Sequence, residues 1–98
     1  MLVRIVKLTF KKENIASFEA IFENNKKKIR QAEGCNFLEL LQSKEDNNIF
    51  FTYSYWNSAT DLENYKNSEF FKSVWGKTKQ LFEDKPEAWS LIKKETIN

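Results

Sequence analysis

The chain contains no histidine. That removes a Ser–His or Cys–His nucleophilic pair, a histidine general base, a histidine zinc site and a haem held by a proximal histidine. Cysteine occurs once, at Cys35, so neither an intramolecular disulfide nor a cysteine metal cluster can form within one chain. Cys35 reads as a small buried hydrophobe rather than a reactive thiol. The two glycines, Gly34 and Gly76, are too few for a glycine-rich phosphate or anion loop, which also argues against an acylphosphatase-like enzyme. With these features missing, no stoichiometric metal, haem or flavin is expected. Long apolar runs are missing too, and residues 1–10 carry Arg4 and Lys7 inside their apolar stretch. No membrane helix and no signal peptide are expected, and the cytoplasm is the expected location. Charge of one sign is scarce: 16 basic against 14 acidic residues leave +2, too little to argue for a nucleic-acid partner. The basic stretch Lys26, Lys27, Lys28 and Arg30 falls where a helix would show its solvent face.

What is abundant is aromatic. Nine Phe, three Tyr and three Trp in 98 residues are many for one domain of this size, so the core, or a cavity in it, is aromatic. Residues 2–10, LVRIVKLTF, read as a buried strand. Asn14 is placed to cap a helix whose apolar residues Ile15, Phe18, Ile21, Phe22 and Ile29 recur at three- and four-residue steps to about residue 32, and Gly34 supplies the left-handed residue that ends it. Residues 35–42, CNFLELLQ, and 49–56, IFFTYSYW, make a β-hairpin across the polar segment 43–48. Ser58 followed by Asp61 starts a short helix through Leu62 and Tyr65. Ser68 starts a longer one carrying Phe71, Val74, Trp75, Thr78, Leu81 and Phe82, which Pro86 stops. Residues 87–94 form a last strand.

The order β, α, β, β, helical segment, β predicts a single α+β domain over 1–98 of ferredoxin-like topology, a four-stranded antiparallel sheet with helices on one face. The other face should then be polar. Yet Phe50 and Trp56 alternate with Phe51, Tyr53 and Tyr55 on one strand, and Leu38 and Leu40 with Phe37 and Leu41 on another. Something apolar must cover the second face, and a second copy of the chain is the simplest cover, so a homodimer is expected.

Over residues 2 to about 94 the sequence resembles the antibiotic biosynthesis monooxygenase family of small dimeric α/β-barrel proteins. The carriers are the opening strand to Phe10, the turn Glu33-Gly34-Cys35 into LELL, and the strand TYSYW followed by a capping Ser58. Asn64-Tyr65-Lys66-Asn67-Ser68-Glu69-Phe70-Phe71, leading into Trp75, completes the set. The resemblance implies a pocket between sheet and helices and oxygenation of phenolic or quinol-like substrates by molecular oxygen without metal or flavin. One branch of the family degrades haem with an Asn on the first strand, a Trp on the short helix and a His one helix later. By register these positions match Lys7, Tyr65 and Trp75; all three differ, which argues against haem degradation by that route. Many members of the other kind carry a His near Tyr65, and it too is missing.

Oxygen reacts slowly with closed-shell organic molecules, but an ionised phenol or enol can pass it one electron. Such a site needs an apolar aromatic cavity and a positive charge or hydrogen-bond donor near the anion. Lys7 reads either as that charge or as a snorkelling lysine at a strand edge. Tyr65 and Trp75 read as pocket lining or as packing of helix on sheet, and Trp56 as pocket wall or dimer interface. Lys7, Trp56, Tyr65 and Trp75 are therefore the candidate pocket residues. The leading expectation is a cofactor-independent monooxygenase acting on an aromatic or quinol-like small molecule. The alternative is a non-catalytic dimeric small-molecule binding protein on the same scaffold. RNA recognition modules share the element order, but NNIFFTYSYW lacks their basic-Gly-aromatic-Gly pattern, so no nucleic acid is expected.

Overall fold

A computed structural model describes all residues 1–98. The elements are β1 (Leu2–Thr9), a 3-10 turn (Lys12–Asn14), α1 (Ile15–Arg30), β2 (Cys35–Gln42), β3 (Ile49–Trp56), α2 (Ala59–Lys66), α3 (Glu69–Thr78), a second 3-10 turn (Lys79–Leu81) and β4 (Glu87–Ile92). The four strands form one antiparallel sheet in the order β2-β3-β1-β4. This is the ferredoxin-like α+β arrangement that the order of elements predicts. No helix is long and apolar enough to cross a membrane.

Local chemistry accounts for most boundaries. The Ser58 hydroxyl accepts the Asp61 N–H at 3.1 Å and the Ser68 hydroxyl accepts that of Phe71 at 3.1 Å. Each satisfies one of the N–H groups that a helix start leaves orphaned. Asn14 behaves otherwise: its side chain makes no cap, and its Nδ2 donates to the Leu81 carbonyl at 3.2 Å. It thus ties the start of α1 to the segment that follows α3, while the preceding 3-10 turn leads the chain into the helix. Gly34 has φ +83, the left-handed value expected of it, but it stands past the end of α1 in the turn into β2. A Cβ there would also collide with the Asp61 side chain, so both backbone and space demand glycine. The hairpin loop closes on itself, Ser43 N–H donating to Ile49 O at 2.8 Å and Ile49 N–H to Asp46 O at 3.1 Å.

Strand alternation divides the sheet. Leu2, Arg4, Val6 and Leu8 pair across from Trp56, Ser54, Thr52 and Phe50, and this set faces the helices. Leu8, Phe50 and, just beyond the strand, Phe10 pack with Phe18 of α1 into one buried cluster. Phe10 is wholly buried, its ring 4.2 Å from that of Phe18 and 5.2 Å from that of Phe82. A second cluster joins Cys35, Trp56 and Leu62. Cys35 is buried there as a small hydrophobe, and burial pushes its thiol pKa up, with backbone hydrogen bonding at Phe37 and the charge of Arg30 pulling the other way. Val3, Ile5 and Lys7 face the opposite side with Tyr55, Tyr53 and Phe51. On that side the ring of Phe37 stacks on Tyr55 at 4.7 Å and meets Tyr53 edge-on at 6.0 Å.

Candidate functional site

The two buried clusters lie at opposite ends of the helix-facing side of the sheet, and the space between them is a cavity. Its volume is about 330 Å³, and 14 of its 20 lining residues are hydrophobic, which places it among apolar small-molecule sites. Its floor is the middle of the sheet, with Val6, Leu38, Thr52 and Ser54. The amphipathic face of α1 supplies Phe18, Ile21, Phe22 and Ile29 to one wall. The other wall is a run of rings: Trp56 to Tyr65 at 5.1 Å, Tyr65 to Phe71 at 5.2 Å, and Phe71 to Trp75 at 5.9 Å with nearly parallel planes. Pro86 and Ala88 mark the side towards β4, a strand exposed along its whole length, so the cavity opens at that edge.

Three of the four residues singled out from the sequence meet here. Trp56, at the end of β3, is 2% exposed and its indole N–H donates to the Ser54 hydroxyl at 3.0 Å. It stands on the helix side of the sheet as a cavity wall. Tyr65 and Trp75 line the same space from α2 and α3. Burial, with a smaller effect of Cys35, pushes the Tyr65 phenol far above its ordinary value, so this hydroxyl stays protonated at any working pH.

Lys7 is not among them. Its side chain leaves the sheet on the face away from the helices, where its ammonium lies 3.8 Å from Glu87. The expectation that it supplies positive charge to the pocket is corrected by the pleat: positions of β1 in phase with Leu8 point inward, and Lys7 is out of phase by one. Arg4 is in phase. It lines the cavity, and its guanidinium donates to the Ser90 hydroxyl on β4 at 3.0 Å. Burial lowers its pKa, with the charge of Glu63 acting in the opposite direction; a guanidinium remains charged regardless. The signal that points to Arg4 is its shared parity with Val6, Leu8 and Phe10. Only two charged residues line the cavity, Arg4 and Lys66, and both are cationic. No group of His, Cys, Asp and Glu residues is arranged to hold a metal ion.

The chain is thus an α+β sheet-and-helix domain whose cavity has an aromatic wall and a cationic residue on its floor. The model of the antibiotic biosynthesis monooxygenase family matches residues 1–75, and the chain belongs to that family. Solved structures agree on the fold. A conserved protein from Methanosarcina mazei Go1 superposes with a TM-score of 0.89 at 21% identity, covering 96% of this chain and 94% of that one. A structure described as an antibiotic biosynthesis monooxygenase gives 0.90 at 18% identity, with 97% and 100% covered. PA3566 from Pseudomonas aeruginosa gives 0.84 at 20% identity, with 96% and 94% covered. A comparison with curated proteins finds no match.

Proposed function

We propose that the protein is a cytoplasmic, homodimeric monooxygenase that needs no cofactor and oxygenates an aromatic or quinol-like small molecule in the cavity between sheet and helices. The observation that carries this reading is the cavity itself, large enough for a small ring system and walled by Trp56, Tyr65, Phe71 and Trp75. Family membership supports the reaction class. The open face of the sheet, with Phe37, Tyr53 and Tyr55 packed together, supports the dimer, because an aromatic patch of this kind favours an apolar cover.

In this reading the rings hold the substrate flat and keep water from its reacting carbon, while Arg4 stabilises negative charge on its oxygen. The ionised substrate passes one electron to oxygen; the resulting radical and superoxide combine into a peroxide anion, which takes up a proton in place of the one lost on ionisation and, as the hydroperoxide, loses water. For anthrone the balance is anthrone plus O₂ giving anthraquinone plus water, one oxygen atom entering each product. The test is oxygen consumption by the purified protein with anthrone and hydroquinone substrates, corrected for the uncatalysed rate. Uptake that is enhanced by the protein and reduced by Arg4→Met supports turnover.

A second reading, a binding protein without catalysis, is favoured by one specific feature: no carboxylate lines the cavity and the Tyr65 phenol is held protonated. Ring binding without enhanced oxygen uptake would establish it.

A further inference from the structure

Part of the cavity's polar lining, Ser54 and Arg4, falls in one row that continues to Ser90 on β4. The strand register sets Ser54 of β3, Arg4 of β1 and Ser90 of β4 side by side, all on the side that faces the helices. Nearer the strand ends the same face is apolar, with Leu2 beside Trp56 and Leu8 beside Phe50. The row runs from Ser54, which is buried, through half-buried Arg4 to Ser90 at the open edge.

Hydrogen bonding within the row has a direction. Trp56 Nε1 donates to Ser54 Oγ and Arg4 Nη1 donates to Ser90 Oγ, each at 3.0 Å. Both serine oxygens therefore already accept, and each keeps its proton to donate; Arg4 keeps four further N–H groups. The acid whose charge acts on Arg4, Glu63, makes its own ion pair with Lys66, the other cation lining the cavity, at 3.7 Å. The row thus presents donors in excess beside a fixed positive charge, and a ligand that left those donors unanswered would pay their desolvation. A bound cation would be repelled. An anionic oxygen beside Arg4 answers the free N–H groups of its guanidinium.

We propose that this row is the anion-recognition element of the cavity, and that the molecule the cavity takes is a flat aromatic anion whose ionised oxygen, carboxylate or phenolate, rests on Arg4 while its ring lies against Trp56, Tyr65 and Trp75. The inference rests on the reading of the cavity as a small-molecule site. It adds that the ligand arrives already charged.

The test is equilibrium binding to the full chain, read by tryptophan fluorescence, of 2-naphthoate, its neutral planar isostere 2-naphthamide, and 4-nitro-1-naphthol at a pH where its phenol is ionised. The expected result is that one or both anions bind about fivefold or more tighter than the amide, the size of a partly wet charge-assisted contact. The tighter anion identifies carboxylate or phenolate as the preferred group. Arg4→Met should abolish the preference, bringing anion binding down to that of the amide, while Lys7→Met, on the other face, should keep it. The proposal is overturned if the amide matches both anions in the unaltered protein, if Arg4→Met retains the preference, or if Lys7→Met removes it. The first and third measurements stand even if Arg4→Met does not fold. Binding of all three probes without preference would sink this inference alone; binding of none would sink the cavity reading with it.

Discussion

On the helix side of β3 lie Phe50, Thr52, Ser54 and Trp56; on the other side lie Phe51, Tyr53 and Tyr55, and the second set is as aromatic as the first. Their surroundings differ. Phe50 and Trp56 are each 2% exposed beneath α1, α2 and α3. Tyr53 and Tyr55 have no helix over them; they lie against each other and Phe37, with the Lys93 ammonium 4.8 Å from the Tyr55 ring. Towards the β4 edge of that side, Trp89 and Leu91 remain 43% and 47% exposed. Residue chemistry alone therefore does not make a core. A core also needs a cover, and the chain carries enough helix to cover one face. The helix-covered face holds both the packed interior and, where the packing stops short, the cavity.

The sharpest way to break this comparison is to put the same charge on each face. Phe50→Lys should abolish folding, because a buried ammonium among Phe10, Phe18 and Leu8 has no partner. Tyr53→Lys should leave the far-UV circular dichroism unchanged and shift light scattering to a monomer of 11.7 kDa. A folded Phe50→Lys, or an unfolded Tyr53→Lys, would reverse the assignment of the two faces. Phe10→Ala tests packing without charge: a wholly buried ring stacked on both sides should cost about 3–5 kcal/mol in chemical denaturation, as large truncations in cores do.

Smaller effects separate the cavity from the packed core on the same face. Trp75→Phe should weaken naphthoate binding several-fold while costing under about 1.5 kcal/mol of stability, since a ring beside empty space loses few contacts. A stability loss above that, with binding intact, would move Trp75 into the core.

Tyr65 offers a test by pH. Its folded pKa is raised above that of an unfolded tyrosine, so its contribution is full below about pH 10 and is lost as pH rises beyond it, where the unfolded chain ionises first. Stability should then fall by up to about 1.4 kcal/mol per pH unit from this residue, and Tyr65→Phe should flatten the slope above pH 10. An unchanged slope would mean that the phenol is not held protonated by its surroundings. The smallest effect belongs to the open face: Lys7→Met removes a solvent-exposed ion pair to Glu87 and should change stability by less than about 1 kcal/mol.

Part of the site is legible in the sequence. Tyr65 and Trp75 are found there because helix periodicity assigns their faces from nearby residues, and the serine caps place the starts of both helices, although α3 gives way to a 3-10 turn after Thr78, short of the Leu81 and Phe82 expected on it. Trp56 is ambiguous, and Lys7 stands in for Arg4. Those two cases share one cause. In a strand whose alternate positions are both apolar, as in LVRIVKLTF and IFFTYSYW, the pattern is the same read from either side, and nothing local says which parity turns inward.

Local sequence therefore specifies the set of elements, their order, the turns and caps that separate them, and the apolar character of both sheet faces. These follow from interactions within a few residues: serine hydroxyls on orphan N–H groups, a glycine at positive φ, apolar spacing on a helix. Only the tertiary structure decided which face the helices take. With that choice came the burial of Trp56, the exclusion of Lys7, and the alignment of Ser54, Arg4 and Ser90 into one row. The three come from strands far apart in the chain, and strand pairing, a contact between distant segments, is what sets their register.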